Sequence, residues 1–380
     1  MKRSSASMVF RVAAVIWAAC LVSGLSASAL HAAVRKVGSL PVGMSPDAVE
    51  FGAGELFVLE KGTITVFSLS DLTLKRRFAG SGPGLEALSP RHTFDQAIRL
   101  AGDRLIAEDD QKILFFSREG CLLGVRPKPK NSTWFIPVRD HYAAKSMVVE
   151  GDPPQQIMRV VLYDSDFREI RELYRQKWFQ QQDPPHFTTE LPGDLVHLAV
   201  VGDRIWVEES PQGFQLESFD ADGARVQLIR RPVPQIPMTE EDCRQEQIQV
   251  EKEKRVAVMI QRAGSREELF KIWKIAFPAF KPAIREIHAA GGFLVARTYQ
   301  TRGDEALYLV LDGRGVLHRE IYLPVGSDAE TEARVNGTSF FKFFDGVFYY
   351  LKLDPARNGY DLYAAGADLG LRGQVSRLQK

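Results

Sequence analysis

One pattern of strands and turns recurs six times along the chain, between about residues 45 and 365. Each copy contains an apolar strand, a tight turn, a second strand, a polar break, a third strand, a turn and a fourth strand. Residues 102–104 have the turn sequence Gly-Asp-Arg, and residues 202–204 repeat it at the same place in another copy. The copies begin near Pro46, Phe94, Val138, Leu195, Ile284 and Phe340. The third copy is among the weakest. An internal repeat of this length predicts one structural unit per copy.

Each copy predicts a small four-stranded antiparallel sheet with two apolar faces. Such a sheet cannot bury both faces alone, so neighbouring sheets must stack around a common axis. We therefore predict an all-β fold, a six-bladed β-propeller of four-stranded antiparallel blades with one short helical insertion. Residues 34–380 are expected to form this single domain. A β-sandwich or two small β domains would be the alternative, but neither needs the same four strands six times.

The two ends of the repeated region predict how the ring closes. The last copy supplies three clear strands, and the segment Val34–Leu40 precedes the first copy with nothing beside it in sequence to pair with. If these parts did not meet, an unpaired sheet edge would remain on each side of the seam. We predict that Val34–Leu40 forms the outer strand of the sixth blade.

One stretch, Pro232–Pro282, interrupts the repeat. Thr239 with Asp242 has the spacing of a capping box, and Ser265 with Glu268 repeats that spacing, so both positions predict helix starts. The sequence "EDCRQEQIQVEKEKR" predicts a helix, and "REELFKIWKI" is compatible with a helix or a strand. The insertion therefore adds helices to a link between two blades.

Residues 80–124, "GSGPGLEALSPRHTFDQAIRLAGDRLIAEDDQKILFFSREGCLLG", resemble the NHL-type repeat of six-bladed β-propellers. The chain is also similar to exported bacterial propellers in which a T-E-E-D helical insertion precedes P-x-x-K-P-A-I. Here those motifs are Thr239–Asp242 and Pro278–Ile284. A phosphate-binding loop is the alternative for Gly80–Gly84, but it would need a helix directly after it and a Lys-Ser/Thr pair. The glycines are better explained as the joint between two blades.

Residues 1–33 have the three parts of a secretory signal: early positive charge, an apolar run and then small residues. The apolar run Val12–Val22 is shorter than the ~20 residues that a membrane span needs. We predict cleavage after Ala29, Ala32 or Ala33 and export to the periplasm or the outside of the cell, with no transmembrane span in the mature chain. Lipid attachment at Cys20 is the alternative.

The charge balance argues against a nucleic-acid-binding protein, and the cysteine content argues against a disulfide-stabilised one. The 49 basic and 48 acidic residues give a net charge of +1, and no basic stripe occurs, so no nucleic-acid partner is expected. Cys121 and Cys243 would remain after leader removal. They lie far apart with no C-x-x-C motif, which favours two buried or partly buried free thiols over a disulfide.

No motif of an established enzyme class occurs: there is no G-x-S-x-G, H-E-x-x-H, Walker A or EF-hand sequence. His197 and His288 occupy matching places in the first strands of two copies. Two histidines without a third ligand make a weak metal site, so we interpret both as core or channel residues. We expect no catalytic residue, no metal and no cofactor.

A charged side chain recurs in the second strands. Counted from the first apolar residue of each second strand, the fifth place is Glu60, Asp109, Glu209, Arg297 or Lys352. There the strand leaves the sheet toward loops at one mouth of the channel, where propellers commonly bind ligands. We predict that these five residues bind a ligand. The alternative is that charge occurs there because the strand meets water.

These observations predict an exported binding module of the cell envelope without catalysis, which acts as a monomer. Its partner would be an envelope protein, a peptide or a saccharide. The alternative is an enzyme on the same scaffold, either a calcium-dependent lactonase-like hydrolase or a sugar dehydrogenase. A purely structural scaffold remains a third class, because a fold does not determine a function.

Overall fold

The computed structural model describes residues 34–79, 87–88, 97–152, 154–181, 187–191, 196–208, 213–252, 254–324 and 341–366. These residues form six sheets and three helices. The leader predicted at residues 1–33 and the link at Gly80–Gly84 lie outside them. No helix within the described ranges is both long and apolar enough to cross a membrane.

The six sheets are the blades of a propeller, and the six-bladed all-β prediction is confirmed. Blade 1 contains β2 (Ala48–Gly52), β3 (Glu55–Glu60), β4 (Thr63–Ser68) and β5 (Leu74–Phe78). Blade 2 contains β6 (Ala97–Ala101), β7 (Arg104–Glu108), β8 (Lys112–Ser117) and β9 (Leu122–Pro127). Blade 3 contains β10 (Ser132–Val138), β11 (His141–Glu150), β12 (Gln155–Tyr163) and β13 (Glu169–Gln181), with β14 (Phe187–Glu190) and β19 (Trp273–Ala276) added outside them.

The remaining blades follow the same plan. Blade 4 contains β15 (His197–Val201), β16 (Arg204–Glu208), β17 (Phe214–Phe219) and β18 (Arg225–Arg231). Blade 5 contains β20 (Glu286–Ala290), β21 (Phe293–Arg302), β22 (Glu305–Asp312) and β23 (Leu317–Pro324). Blade 6 contains β24 (Phe341–Phe344), β25 (Val347–Asp354), β26 (Gly359–Gly366) and β1 (Val34–Ser39).

The first strand of each blade adjoins the propeller axis. The six first strands, β2, β6, β10, β15, β20 and β24, contact one another in ring order, and β24 contacts β2 to complete the circle. Each blade therefore runs from the axis outward. The turns between second and third strands lie on the same face as the links between blades, because successive strands of a meander alternate in direction.

The ring closes through β1, as the sequence predicts. β1 pairs antiparallel with β26, with Val34 opposite Ala365 and Ser39 opposite Asp361. The N-terminal strand is thus the outer strand of blade 6, whose other three strands come from the end of the repeated region. This pairing leaves no gap at the seam between the first and last blades.

Both faces of a blade are buried, which explains the apolar second strands. In β3 the residues Leu56, Phe57, Val58 and Leu59 are all 0% exposed. Side chains alternate between faces along a strand, so Leu56 and Val58 pack with blade 6 residues such as Leu351. The other two pack against blade 2. At roughly 25 cal/mol per Å² of buried apolar surface, this stacking supplies the main driving force for the ring.

The inserted segment forms α1 (Glu240–Lys252), α2 (Lys254–Ala263) and α3 (Arg266–Ile272). The Thr239 hydroxyl donates to an Asp242 carboxylate oxygen at 2.7 Å and accepts from the Asp242 amide at 3.1 Å, so the first predicted cap is confirmed. The Ser265 hydroxyl accepts from the Glu268 amide at 3.2 Å. Apolar residues of the three helices pack together and onto Trp273.

Two predicted details differ in the structure. The ambiguous "REELFKIWKI" is a helix followed by a strand, because Trp273–Ala276 pairs in parallel with Phe187–Glu190 and extends blade 3. Blade 3 begins at Ser132 rather than near Val138. A bulge in its first strand interrupts the alternation of apolar and polar residues by which a strand is recognised in the sequence. Both remaining cysteines are free as predicted, but Cys121 is exposed rather than buried.

Candidate binding site on the propeller axis

Titratable side chains recur on the first strands, around the axis. They share one position, two residues before the last residue of the first strand that pairs with the second strand. This position is occupied by Glu50 in β2, Arg99 in β6, His288 in β20 and Lys342 in β24. The other two blades have apolar residues there. Glu50 is buried and the other three are half-buried. Charged groups in such a place are costly unless they are paired or used for binding.

A second set lies beside the first, on the second strands. Its members lie four positions after the first residue of the second strand that pairs with the first strand. They are Glu108, Lys145, Glu208 and Arg297. Glu108, Glu208 and Arg297 are only 2%, 0% and 4% exposed, and Lys145 is half-buried. The two sets place charged groups from every blade near the axis.

Blades 5, 6 and 1 hold charges that are paired. The ammonium of Lys342 forms an ion pair with the Glu50 carboxylate across the seam between blades 6 and 1. Arg297 Nη1 donates to Glu286 Oε1 at 3.0 Å, and His288 Nε2 lies 3.2 Å from Glu286 Oε2. Burial alone would raise the pKa of Glu286, but the neighbouring His288 and Arg297 outweigh it and lower this pKa.

Blades 2 and 3 instead bring two cations together on one aromatic ring. The guanidinium carbon of Arg99 lies 4.6 Å from the centre of the Trp134 ring, and Lys145 Nζ lies 4.8 Å from it. Nε and Nη2 of Arg99 are buried, and neither has a hydrogen-bond partner among the described residues. This side of the axis is therefore electropositive and differs from the paired side.

Trp134 is held in place by the backbone and by Glu108. The residue has φ +65°, at a bulge in β10 between Thr133 and Ile136. Its amide donates to Glu108 Oε1 at 3.0 Å, and the same carboxylate lies 3.4 Å from Lys128 Nζ. A buried carboxylate thus fixes the bulge that directs the indole toward the two cations. Glu108 is consequently engaged by the backbone and by Lys128.

The burial of these groups changes their protonation. Burial lowers the pKa of Arg99. Burial, together with the positive charge of Arg99, lowers the pKa of Lys145 to about 8. Burial, followed by the charge of Lys145, lowers the pKa of His197 to about 3. His197 is therefore neutral at ordinary pH, while the two cations keep their charge at and below neutral pH.

The axial carboxylates do not fit the calcium site that a lactonase-like hydrolase would need. Such a site requires several free carboxylate or carbonyl oxygens around one ion. Glu50 is engaged by Lys342, Glu286 by Arg297 and His288, and Glu108 by backbone amides. Among the residues that the structure describes, no three His, Cys, Asp or Glu side chains are grouped to hold a metal ion.

Three members of the predicted ligand-binding ring lie at equivalent positions in the structure. Glu60, Asp109 and Lys352 are each five residues after the first paired residue of their second strands. The Glu60 carboxylate accepts from the Ser45 amide at 2.7 Å. Asp109 is 1% exposed and its carboxylate shapes its own turn. Lys352 is exposed.

The other two members do not join this set in the described structure. Arg297 lies one position earlier, because Phe293 occupies the turn position that Arg104 occupies in blade 2. A shift of one residue reverses the face on which a strand side chain lies. Arg297 therefore belongs with Glu108 and Lys145, near the axis. Glu209 lies outside the described residues.

The two histidines lie on first strands, as the sequence predicts, but the prediction that they occupy matching places is wrong. His197 lies four residues, and His288 two residues, before the last paired residue of its strand. His197 pairs across its hairpin with Glu208, and the His288 ring packs edge-on against Phe341 with ring centres 4.7 Å apart. Sequence reasoning missed Glu50, Arg99 and Lys342, which share a strand position with His288. Counting backward from the first turn of each blade, rather than forward along the second strand, would have found them.

No protein-family model matches the chain, and no curated protein matches it. Solved structures that resemble it include BamB from Moraxella catarrhalis, with 6% identity and a TM-score of 0.33 over 88% of this chain and 100% of that one. A gluconolactonase from Xanthomonas campestris has 11% identity and a TM-score of 0.41 over 90% and 93%. The Neurospora crassa Pan2 WD40 domain has 9% identity and a TM-score of 0.36 over 88% and 95%. Likenesses this distant carry no argument about function.

Proposed function

We propose that this protein is an exported binding module of the cell envelope. It captures an envelope protein, peptide or saccharide at the face where the turns between second and third strands meet the links between blades. The observation that supports this most is the set of charged side chains around the axis. Keeping such groups desolvated costs several kcal/mol per ion unless contacts offset it, and binding sites are where such costs are retained.

The inserted helices support the choice of this face of the propeller. They lie between β18 of blade 4 and β20 of blade 5, in a link between blades. Glu60 and Lys352, in blades 1 and 6, end or approach the end of second strands on that face. The insertion packs through its own apolar cluster around Leu269 and Trp273. Its strand β19 pairs with β14 outside the four strands of blade 3, so we expect the ring to fold without the helices.

The leader supports the envelope location. Residues 1–33 carry the pattern of a secretory signal, and we propose that the mature chain, 34–380, acts as a single propeller domain in the periplasm or outside the cell. The NHL-like link at Gly80–Gly84 and the likeness to exported bacterial propellers with a T-E-E-D insertion belong to the same proposal. An enzyme remains the alternative class, although the ion-paired axial carboxylates disfavour the calcium-dependent form.

The test is capture by the immobilised mature protein, with cross-linking, from solubilised envelope. Glu60→Lys with Lys352→Glu should reduce capture at least tenfold, and so should replacing residues 239–262 by a Gly-Ser link. The matched control is Asp166→Lys with Arg168→Glu, which reverses two exposed charges in the turn between β12 and β13 on the opposite face. If capture is unchanged both in the Glu60→Lys/Lys352→Glu variant and in the variant without residues 239–262, the proposal that this face binds the partner is refuted.

A further inference from the structure

We propose that Arg99, Lys145 and Trp134 form a binding site for an oxyanion, the carboxylate or phosphate group of a small organic anion. The site lies where the first strand of blade 2 meets blade 3 near the axis. It deepens the proposed function, because it rests on a ligand reaching the axis from the propeller mouth. The lactonase-like alternative would need a cation at the axis instead.

The first observation that supports this site is the geometry of Arg99. Nε and Nη2 lie on one edge of the guanidinium, and both are buried with no hydrogen-bond partner in the described part of the chain. This edge presents two parallel N–H groups, whose spacing matches the two oxygens of a carboxylate or phosphate. If Arg99 served only to stabilise the fold, this edge would be expected to donate to a carboxylate or a carbonyl oxygen.

The second observation is the position of Lys145. Its Nζ lies over the same indole ring as Arg99, and no ion pair of this ammonium occurs among the described residues. The Trp134 ring offsets part of the desolvation of both cations, because the face of an aromatic ring attracts positive charge. The interaction is too weak to compensate two buried charges, so an anion in contact with both cations would gain both electrostatically and by hydrogen bonding.

Two buried carboxylates act electrostatically on this pair of cations, Glu108 on Arg99 and Glu208 on Lys145, and neither forms an ion pair with its cation among the described residues. Glu108, the acidic residue whose charge acts on Arg99, accepts from the Trp134 and Phe135 amides and lies 3.4 Å from Lys128 Nζ. Glu50 pairs with Lys342 on the other side of the ring. The half-burial of Arg99, Trp134 and Lys145 leaves them partly accessible from the axis. Arg99 Nε and Nη2 are themselves buried, so an anion that binds this edge must displace the protein atoms that cover it.

The probes are acetate and inorganic phosphate, titrated into the mature protein by calorimetry at constant ionic strength with chloride as background. We expect one equivalent of acetate or phosphate to bind and to raise the melting temperature. The better of the two identifies the type of oxyanion. No saturable binding of either probe to the wild type would overturn the proposal.

Variants separate this site from general positive charge. Arg99→Met and Lys145→Met should each weaken binding at least tenfold, and Arg99→Lys should do the same because it keeps the charge and loses the two-donor edge. The matched control, Asp166→Asn with Arg168→Met, removes an exposed cation together with its partner on the opposite face and should bind within about twofold of wild type. Equal losses in the control and in Arg99→Met would overturn the proposal.

Stability measurements guard against misfolding of the variants. Without an anion, Arg99→Met should have a melting temperature equal to or above that of the wild type, because it removes an uncompensated buried charge. Its gain in melting temperature with acetate or phosphate should disappear. If wild type captures an envelope partner but binds neither anion, only the anion site is refuted. If it binds an anion but captures no partner, only the proposed function is refuted.

Discussion

Lys36 Nζ lies 2.5 Å from Asp361 Oδ2, although 325 positions separate the two residues in the chain. The pair joins β1 to β26 and so holds the seam of the ring. Asp361 also accepts from the Ser39 hydroxyl at 2.7 Å and is only 6% exposed. One carboxylate thus anchors the N-terminal strand to the last blade.

Replacing this anchor should weaken the whole propeller. We expect Asp361→Asn to lower the free energy of unfolding by about 1–3 kcal/mol, because Lys36 and Ser39 then donate to a neutral amide instead of the buried Asp361 carboxylate. Urea unfolding measures this. The control is Asp166→Asn, which removes a pair between highly exposed side chains and should change stability by less than about 0.5 kcal/mol. Equal effects would show that the seam does not limit stability.

His197 should make the protein sensitive to mild acid. Its pKa of about 3 lies below the ordinary value of 6.5, so between these values the unfolded chain binds a proton that the folded chain does not. Stability is therefore lost as pH falls from about 6.5 toward 3. Between pH 6.5 and 5 the wild type should lose roughly 2 kcal/mol more than His197→Gln. Parallel pH profiles of the two proteins would contradict the burial of a neutral imidazole.

Lys145 should act in the alkaline range. Its pKa of about 8 lies below the ordinary 10.5, so the unfolded chain binds more protons between these values. The stability of the wild type should accordingly rise relative to Lys145→Met as pH increases from about 8 to 10. Below pH 8 the Met variant should be more stable by roughly 1–3 kcal/mol. A difference that does not vary with pH would show that Lys145 is fully solvated.

Trp273 should hold the inserted helices on blade 3. Its Nε1 donates to the Thr189 hydroxyl at 2.9 Å, and its ring stacks on Phe270 with centres 5.5 Å apart. We expect Trp273→Ala to expose the insertion to trypsin within the helices while the blades stay folded. Limited proteolysis with mass spectrometry locates the cuts. Trp273→Phe, which keeps most of the apolar contact, should be cut more slowly, and cuts spread equally over all blades would contradict independent docking.

The mature protein should begin after Ala29, Ala32 or Ala33. The physical reason is that small residues after a short apolar run fit the signal peptidase. N-terminal sequencing of exported protein measures the start. A lipid-modified start at Cys20 would replace this prediction, and an uncleaved N-terminus would contradict export.

The sequence by itself determined the blades and the caps of the insertion. The period of two in apolar residues, the glycine turns and the Thr239 and Ser265 caps are local signals, because strands and helix ends depend on near neighbours. The outer place of β1 was also predictable, since an unmatched strand and a three-stranded last copy can complete each other.

Only the tertiary structure decided which charges meet. Arg99, Trp134 and Lys145 come from three strands in two blades, and their contact depends on a bulge in β10 that no local pattern reveals. Arg297 moved from the predicted ring to the axis because one residue of register reverses the face of a strand. The parallel pairing of β14 with β19 likewise joins segments more than eighty residues apart. Register and long-range pairing are set by packing between blades, which a single chain position does not encode.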